Sequence, residues 1–319
     1  MPPVDRNAPK RAASSESSYS LMEFMREFPD DPACLQWLWR ERCSEDGEHA
    51  ACPKCERVRK FHKVKDRPAW DCDSCGFHMH PTAGTIFHKS STSLHLWFYA
   101  MHLITSTRGG ISAKQLEREL GVTYKTAWRM FNLIRNELMT QDETPLSGEV
   151  EVDETFIGGK PRAAELRRNR GTKRQPRTAP IKWGRDKAVV FGAVERGGQV
   201  RATVIPDSSS SSLGGQMHRY VLPAASLFTD EWRGYTTPGR RYQAHYRIRH
   251  KEHIYVSGNV HTNTIEGFFG NVKRGISGVY HSVSRKWLQG YLNEYAWRYN
   301  HRSDERPMFV TLLLRAARD

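Results

Sequence analysis

The sequence predicts an α/β protein whose main sheet is preceded by a cysteine-rich module and a helical segment. Three observations lead there. Beyond residue 148, β-type runs give way to helical ones; before it, helical patterns dominate; and all six cysteines fall in the first quarter of the chain. A strand, a hairpin, a further strand and then helices is the order of a mixed layer fold.

The 319 residues suffice for two or three domains with cores of their own. Lysine and arginine number 49 against 35 acids, a net charge of +14. That balance points to a polyanionic partner, most often nucleic acid. A soluble basic protein without such a partner is the plainer alternative. No run of 18 apolar residues occurs, so no membrane span and no membrane partner are expected. Residues 1–18 are polar and rich in Pro and Ser, lack the apolar core of a signal peptide, and read as a disordered tail. A cytoplasmic location with access to DNA follows.

Residues 19–45 carry Leu21, Phe24, Met25, Phe28, Leu35 and Leu38 at helical spacing, and Pro29 and Pro32 split them into two short helices. Residues 46–88 hold two C-x2-C pairs, Cys52–Cys55 and Cys72–Cys75, separated by sixteen residues. This is the spacing of a structural site for one Zn²⁺, with two knuckles each presenting two thiolates. A redox dithiol or unrelated thiols are the other readings. Cys34 and Cys43 lie outside the pattern, and His78 and His80 are not needed to close a tetrahedron. Residues 89–147 read as helical, with a helix over 91–107 followed by a helix–turn–helix pattern at 111–138. There Ser112 and Gln115 resemble a capping box, Gly121 permits the turn, and Thr123 caps the second helix. That helix exposes Tyr124, Lys125, Thr126 and Arg129 near its start, where a recognition helix meets base edges. A plain helical hairpin is the competing reading.

In "EVEVDETFIGG" (149–159) acids alternate with valines, which predicts a strand with Glu149, Glu151 and Asp153 on one face and Glu154 on the other. Gly197-Gly198 mark a hairpin within 188–206, and the apolar run of 225–235 ends in Asp230. Residues 263–276 and 284–302 read as helices. Between the first strand and the hairpin, residues 160–187 carry eleven Lys/Arg against two acids, among them Arg167 and Arg168. This basic insertion reads as an extended loop that contacts phosphates or is simply solvated. Ser208–Ser212 reads as a flexible connection.

Carboxylates at strand ends repel one another unless divalent cations sit among them, and hard Mg²⁺ takes carboxylate, water and phosphate oxygens. An acidic cluster inside a basic protein is therefore the layout expected for DNA phosphoryl transfer. Asp153, Asp230 and Glu266 form one such set, and spacing alone leaves Glu149, Glu151 and Glu154 as competitors of Asp153.

"VEVDETFIGG", "LFTDEWRGY" and "HTNTIEGFFGNVKRGI", in this order behind a four-cysteine module, resemble the bacterial insertion-sequence DDE transposases that carry an N-terminal zinc ribbon. The resemblance spans roughly residues 19–302. It implies a ribonuclease-H-like catalytic domain over 148–319, preceded by the zinc ribbon and a small helix–turn–helix region. It implies Asp153, Asp230 and Glu266 as catalytic ligands of two Mg²⁺ or Mn²⁺ ions, and Lys273, with its neighbour Arg274, as a DNA contact. Lys273 follows Glu266 by seven residues, nearly two helical turns, and so shares its helix face.

The expected partners are double-stranded DNA, both transposon ends and target, and at least a second copy of the chain; the expected place is the bacterial nucleoid. A catalytically silent DNA-binding regulator and a structure-specific nuclease of the same fold are the rival functions. Asn263 and Glu266 also have capping-box spacing, which makes Asn263 a cap or an outer partner of the metal site. Trp232 reads as core packing or as a base-stacking residue, and Tyr291, Tyr295, Tyr299, Leu288 and Leu292 as core. Gly267 and Gly270 suggest a close approach of backbone or of DNA.

Overall fold

The computed structural model describes residues 19–107, 109–158, 187–248 and 261–318. The N-terminal tail and the basic insertion up to residue 186, with Arg167 and Arg168, lie outside the described residues. The chain divides into two compact units, Met1–Leu138 with His301–Asp319, and Met139–Asn300. This differs from the sequence reading, which carries the catalytic domain to 319. The reason is aromatic packing: Phe309, on the helix Met308–Arg318, meets Tyr19, Phe24, Phe28 and His102 of the first unit.

In the first unit, α1 (Leu21–Glu27) starts with a capping box between Ser20 and Glu23. Helix α2 (Asp31–Arg42) is capped by Asp30 with Pro32 in its first turn, a position where the missing N–H costs nothing. Phe24, Phe28, Leu35 and Leu38 are buried, but Leu21 and Met25 are 44% and 41% exposed because this two-turn helix buries only one narrow stripe. Strands β1 (His49–Cys52), β2 (Arg57–Lys63), β3 (Trp70–Cys72) and β4 (His78–Met79) form an antiparallel sheet in chain order. Trp70 stacks on Trp39 of α2 with ring centres 4.6 Å apart, tying this thin sheet to the helices. Helix α3 (Leu94–Ser106) is apolar and largely buried. Helices α4 (Ala113–Leu120) and α5 (Tyr124–Leu133) follow, and α5 runs on into a π-helical turn, Ile134–Leu138.

The second unit is built on one five-stranded sheet. Its strands are β5 (Glu149–Ile157), β6 (Ala188–Glu195), β7 (Val200–Ile205), β8 (Ser226–Thr229) and β9 (Ala244–Arg247), in the order β7-β6-β5-β8-β9. The pairs β5–β6 and β6–β7 are antiparallel, whereas β5–β8 and β8–β9 are parallel. The β6–β7 turn falls at Gly197, whose φ of +74° suits glycine. Helix α6 (Ser210–Tyr220) packs Leu213 and Met217 on one face of the sheet against Val150, Val152, Val189 and Phe191. Helices α7 (Asn263–Gly275) and α8 (Leu288–Asn300) cover the other face, packing Ile265, Phe268, Phe269 and Leu292 on Val190 and Val194.

The serine run is not the flexible connection expected of it. Ser209 accepts from the Ser212 amide and caps α6, whose first residues are Ser210–Ser212. Among the described residues, no backbone approaches Gly267, around which a Cβ would meet nothing within 4 Å, whereas Gly192 and Gly275 are among the glycines that a Cβ would bring into collision, Gly275 with the Tyr295 hydroxyl. Trp232, read as core packing or as a base-stacking residue, is 46% exposed and so not core, with its indole N–H donating to the Ser208 carbonyl at 3.1 Å. Leu288, Leu292 and Tyr295 are buried as expected.

Candidate functional site

Strands β5 and β8 run parallel with Glu151 beside Phe228. Asp153 follows Glu151 by two residues on β5, Asp230 follows Phe228 by two residues just past the end of β8, and the two carboxylates are close enough for the charge of one to act on the other. Glu266 lies exposed in the first turn of α7, one helix turn from Thr262, whose hydroxyl donates to Glu266 Oε1 at 2.9 Å. The carboxylates feel one another. Burial first, then the charges of Glu154, Asp230 and Glu266, push Asp153 well above the usual carboxylate range, against the pull of the Glu154 amide. That amide donates to Asp153 Oδ1 at 2.8 Å.

Glu154 leaves β5 on the opposite face, towards Tyr235, whose hydroxyl donates to Glu154 Oε2. Burial raises Glu154 to about 7, with Asp230 adding to the effect and the Tyr235 hydrogen bond opposing it. Glu154 therefore belongs electrostatically to the acidic end of the sheet although its strand face differs. Asp230 also turns back on its own chain, accepting from the Trp232 amide at 2.9 Å. The donor set is carboxylate oxygen throughout, the chemistry that suits Mg²⁺ or Mn²⁺. Packing of acids at one sheet end carries an electrostatic cost that a divalent cation removes.

Glu151 has a different place. It is fully buried and reaches α7, where it accepts from the Thr264 amide at 2.8 Å, the Ile265 amide at 3.1 Å and the Thr264 hydroxyl at 3.0 Å. Arg196 Nε donates to Glu151 Oε1 at 2.9 Å, Nη1 lies 3.2 Å from Glu149 Oε2, and Nη2 donates to the His261 carbonyl at 2.9 Å. The guanidinium also lies over the Phe228 ring, 4.0 Å from its centre. Asn263 is exposed and does not cap α7; the N-cap residue is Thr262, which makes no side-chain cap bond, and Glu151 satisfies the amides instead. Beneath α7, Gly192 pairs with Asp153 across β5–β6, and a Cβ there would come within 2.6 Å of Phe269 and 2.8 Å of Ile265.

The second cluster is in the first unit. The Sγ atoms of Cys52, Cys55, Cys72 and Cys75 lie within 4.8 Å of one another, and among the described residues no other His, Cys, Asp or Glu group is as tight. Such a group could hold a structural zinc ion. Desolvation opposes the Cys52 thiolate, but the Cys55 and Lys54 amides hold it down to about 7. Cys34 is buried, and burial pushes its thiol up, as it does that of Cys43. His78 and His80 are exposed and outside the cluster.

Ser112 accepts from the Gln115 amide, Gly121 ends α4 with φ of 64°, and Thr123 accepts from the Thr126 amide to start α5. Tyr124, Lys125 and Arg129 on α5 are exposed, as are Lys273 and Arg274 in the last turn of α7.

Residues 145–300, which contain the acidic site, match the model of the ISXO2-like transposase domain. This segment of the chain is similar to an insertion-sequence transposase domain. It is 28% identical over 255 residues, 77% of its own length and 84% of the relative's, to an uncharacterised protein in transposable element ISH50 of Halobacterium salinarum. It is 27% identical over 103 residues, 32% of its length and 82% of the relative's, to an uncharacterised transposase-like protein of Haemophilus influenzae. No solved structure matches it. Among the described residues of this transposase-like chain, no helix is long and apolar enough to cross a membrane.

Sequence reasoning left out the roles of Glu151, Arg196, Gly192 and Tyr235. The one signal available for Glu151 was its period-2 alignment with Asp153; nothing local marks the other three.

Proposed function

We propose that this chain is a DNA transposase that binds the terminal inverted repeats of an insertion sequence and catalyses metal-dependent strand cleavage and strand transfer. The observation that supports the reading is that the charges of Asp230 and Glu266 act on the buried Asp153, inside the matched transposase domain. The sheet order β7-β6-β5-β8-β9, antiparallel on one side of β5 and parallel on the other, supports a ribonuclease-H-like core. The four-cysteine sheet supports a zinc ribbon over 46–88, and the capped α4–turn–α5 pair supports a helix–turn–helix within 89–147.

In this reading Asp153, Asp230 and Glu266 hold two Mg²⁺ or Mn²⁺ ions. Bound there, the ions supply activation of the attacking oxygen and stabilisation of the leaving oxygen of a phosphodiester. The chain's own residues do the rest. Lys273 and Arg274 hold backbone phosphates beside the acidic site, Lys125 and Arg129 meet the end sequence, and Arg167 and Arg168 add non-specific attraction. Water attacks the phosphodiester at the element's end and displaces its 3′-oxygen, which takes a proton to become a 3′-hydroxyl; that hydroxyl then attacks a phosphodiester of the target and displaces the target's own 3′-oxygen, so that one P–O bond replaces another without a covalent bond to the protein. Pairing two ends takes at least two copies of the chain, acting at the nucleoid in the cytoplasm.

The test is incubation of the protein with DNA carrying the repeats that flank its coding sequence, in Mg²⁺, with strand breaks and joints mapped to the nucleotide. Cleavage at the repeat terminus with joined products is expected. Retention of the DNA with no strand broken in Mg²⁺ or Mn²⁺ overturns the reading in favour of a regulator, and breakage without joining in favour of a nuclease.

A further inference from the structure

Of the three candidate ligands, Asp153 lies on β5, Glu266 on α7 and Asp230 just past the end of β8, and one buried ion pair touches all three elements. Glu151 stands on β5 two residues before Asp153 and takes the first amides of α7, two and one positions before Glu266. Arg196, just past β6, bonds Glu151, holds the His261 carbonyl on the approach to α7, and covers Phe228 on β8, two residues before Asp230. His261 Nδ1 lies 3.1 Å from Glu151 Oε1 without hydrogen-bond geometry, so the arginine, not the histidine, bonds the carboxylate there.

A buried carboxylate is costly unless its oxygens are taken up, and here amides, a hydroxyl and a guanidinium take them up. Helix α7 has no cap of its own, so the position and tilt of its first turn depend on a charge donated by the neighbouring strand. Glu266 rides on that turn. We propose that Glu151 and Arg196 are positioning residues for the acidic site, setting the distance of Glu266 from Asp153 and Asp230. This role rests on the active-site reading above and adds residues that bind neither metal nor DNA.

The test measures Mn²⁺ binding to the full-length, zinc-loaded protein by electron paramagnetic resonance, together with thermal melting and hydrogen exchange at the Thr264 and Ile265 amides. Asp153→Asn identifies the site. In Glu151→Gln, the two amides are expected to exchange faster and Mn²⁺ affinity to fall roughly 10- to 100-fold, the usual effect of losing a group that orients a ligand. Cleavage by that variant recovers as Mn²⁺ is raised, whereas Glu266→Gln does not recover. Thr264→Val removes one of the donors without placing a new charge and carries the same test if Glu151→Gln fails to fold; a several-fold loss of affinity is expected. Lower melting with unchanged Mn²⁺ affinity in these variants overturns the positioning role and leaves a purely structural one. A wild-type protein that binds no Mn²⁺, or binds it undiminished in Asp153→Asn, overturns the active-site reading itself.

Discussion

Asp153 and Glu154 are neighbours in sequence, project from opposite faces of β5, and both titrate above their ordinary range. A carboxyl raised in the folded state keeps its proton while the unfolded chain releases it. Stability therefore falls as pH rises from the ordinary glutamate value of 4.5 to about 7, the value of Glu154. In magnesium-free buffer we expect melting temperature to decline across that window, with Glu154 accounting for up to about 3 kcal/mol. Glu154→Gln should flatten the decline, and added Mg²⁺ should offset it most at the alkaline end; calorimetry at a series of pH values checks both. Glu266 and Asn263 separate just as simply. Glu266→Gln keeps size and should abolish cleavage and joining at unchanged DNA affinity, while Asn263→Ala, on an exposed side chain that caps nothing, should keep much of its activity. Strand-cleavage assays with the reverse outcome would make Asn263 the third ligand.

At the scale of elements, the approach of α7 to the sheet decides how near Glu266 comes to β5. Gly192 makes that approach possible, because the atoms a Cβ would strike belong to the buried side chains of Phe269 and Ile265. Gly192→Ala should therefore cost about 1–3 kcal/mol through overpacking and displace the helix outward. Its activity should fall further than its stability predicts, because the displaced helix carries Glu266. Denaturant unfolding beside cleavage rates makes the comparison, and a variant as active as wild type would separate the site from helix packing. In the first unit, the stacking of Trp39 on Trp70 offers a reporter for the four-thiolate cluster. One zinc ion per chain is expected by elemental analysis. Its removal should abolish the coupled tryptophan signal in near-ultraviolet circular dichroism, while the unit Met139–Asn300, which contains none of the cysteines, keeps its melting transition.

Over the whole molecule, charge is the property that matters. Of the net +14, residues 160–187 contribute +9, eleven basic residues less two acids. If this segment contacts phosphates, neutralising four of its arginines should lower affinity for all DNA alike and reduce the slope of log affinity against log salt by about 3–4. A fluorescence-anisotropy salt titration measures it. An unchanged slope assigns the segment to solvent, and a loss confined to one sequence points to base readout.

What this sequence determined by itself is what neighbours within a few residues decide. Asp30, Ser112 and Thr123 cap helices through amides three residues on, Gly197 turns a hairpin, and β5 alternates valine with acid. The four thiolates were equally legible, since each C-x2-C pair is formed within a single turn and only the two pairs have to meet. Local pattern also misled where it had competitors: the Asn263–Glu266 spacing suggested a cap, but a buried carboxylate offers the α7 amides a stronger partner than an exposed amide side chain. The tertiary structure alone decided that Glu151 would serve a helix 113 residues away, that Arg196 would join three elements, and that Asp153, Glu154, Asp230 and Glu266 would share one field. Coulomb interaction and desolvation depend on distance and burial in space, and the parallel pairing of β5 with β8 sets that distance without leaving a mark on either strand's own residues.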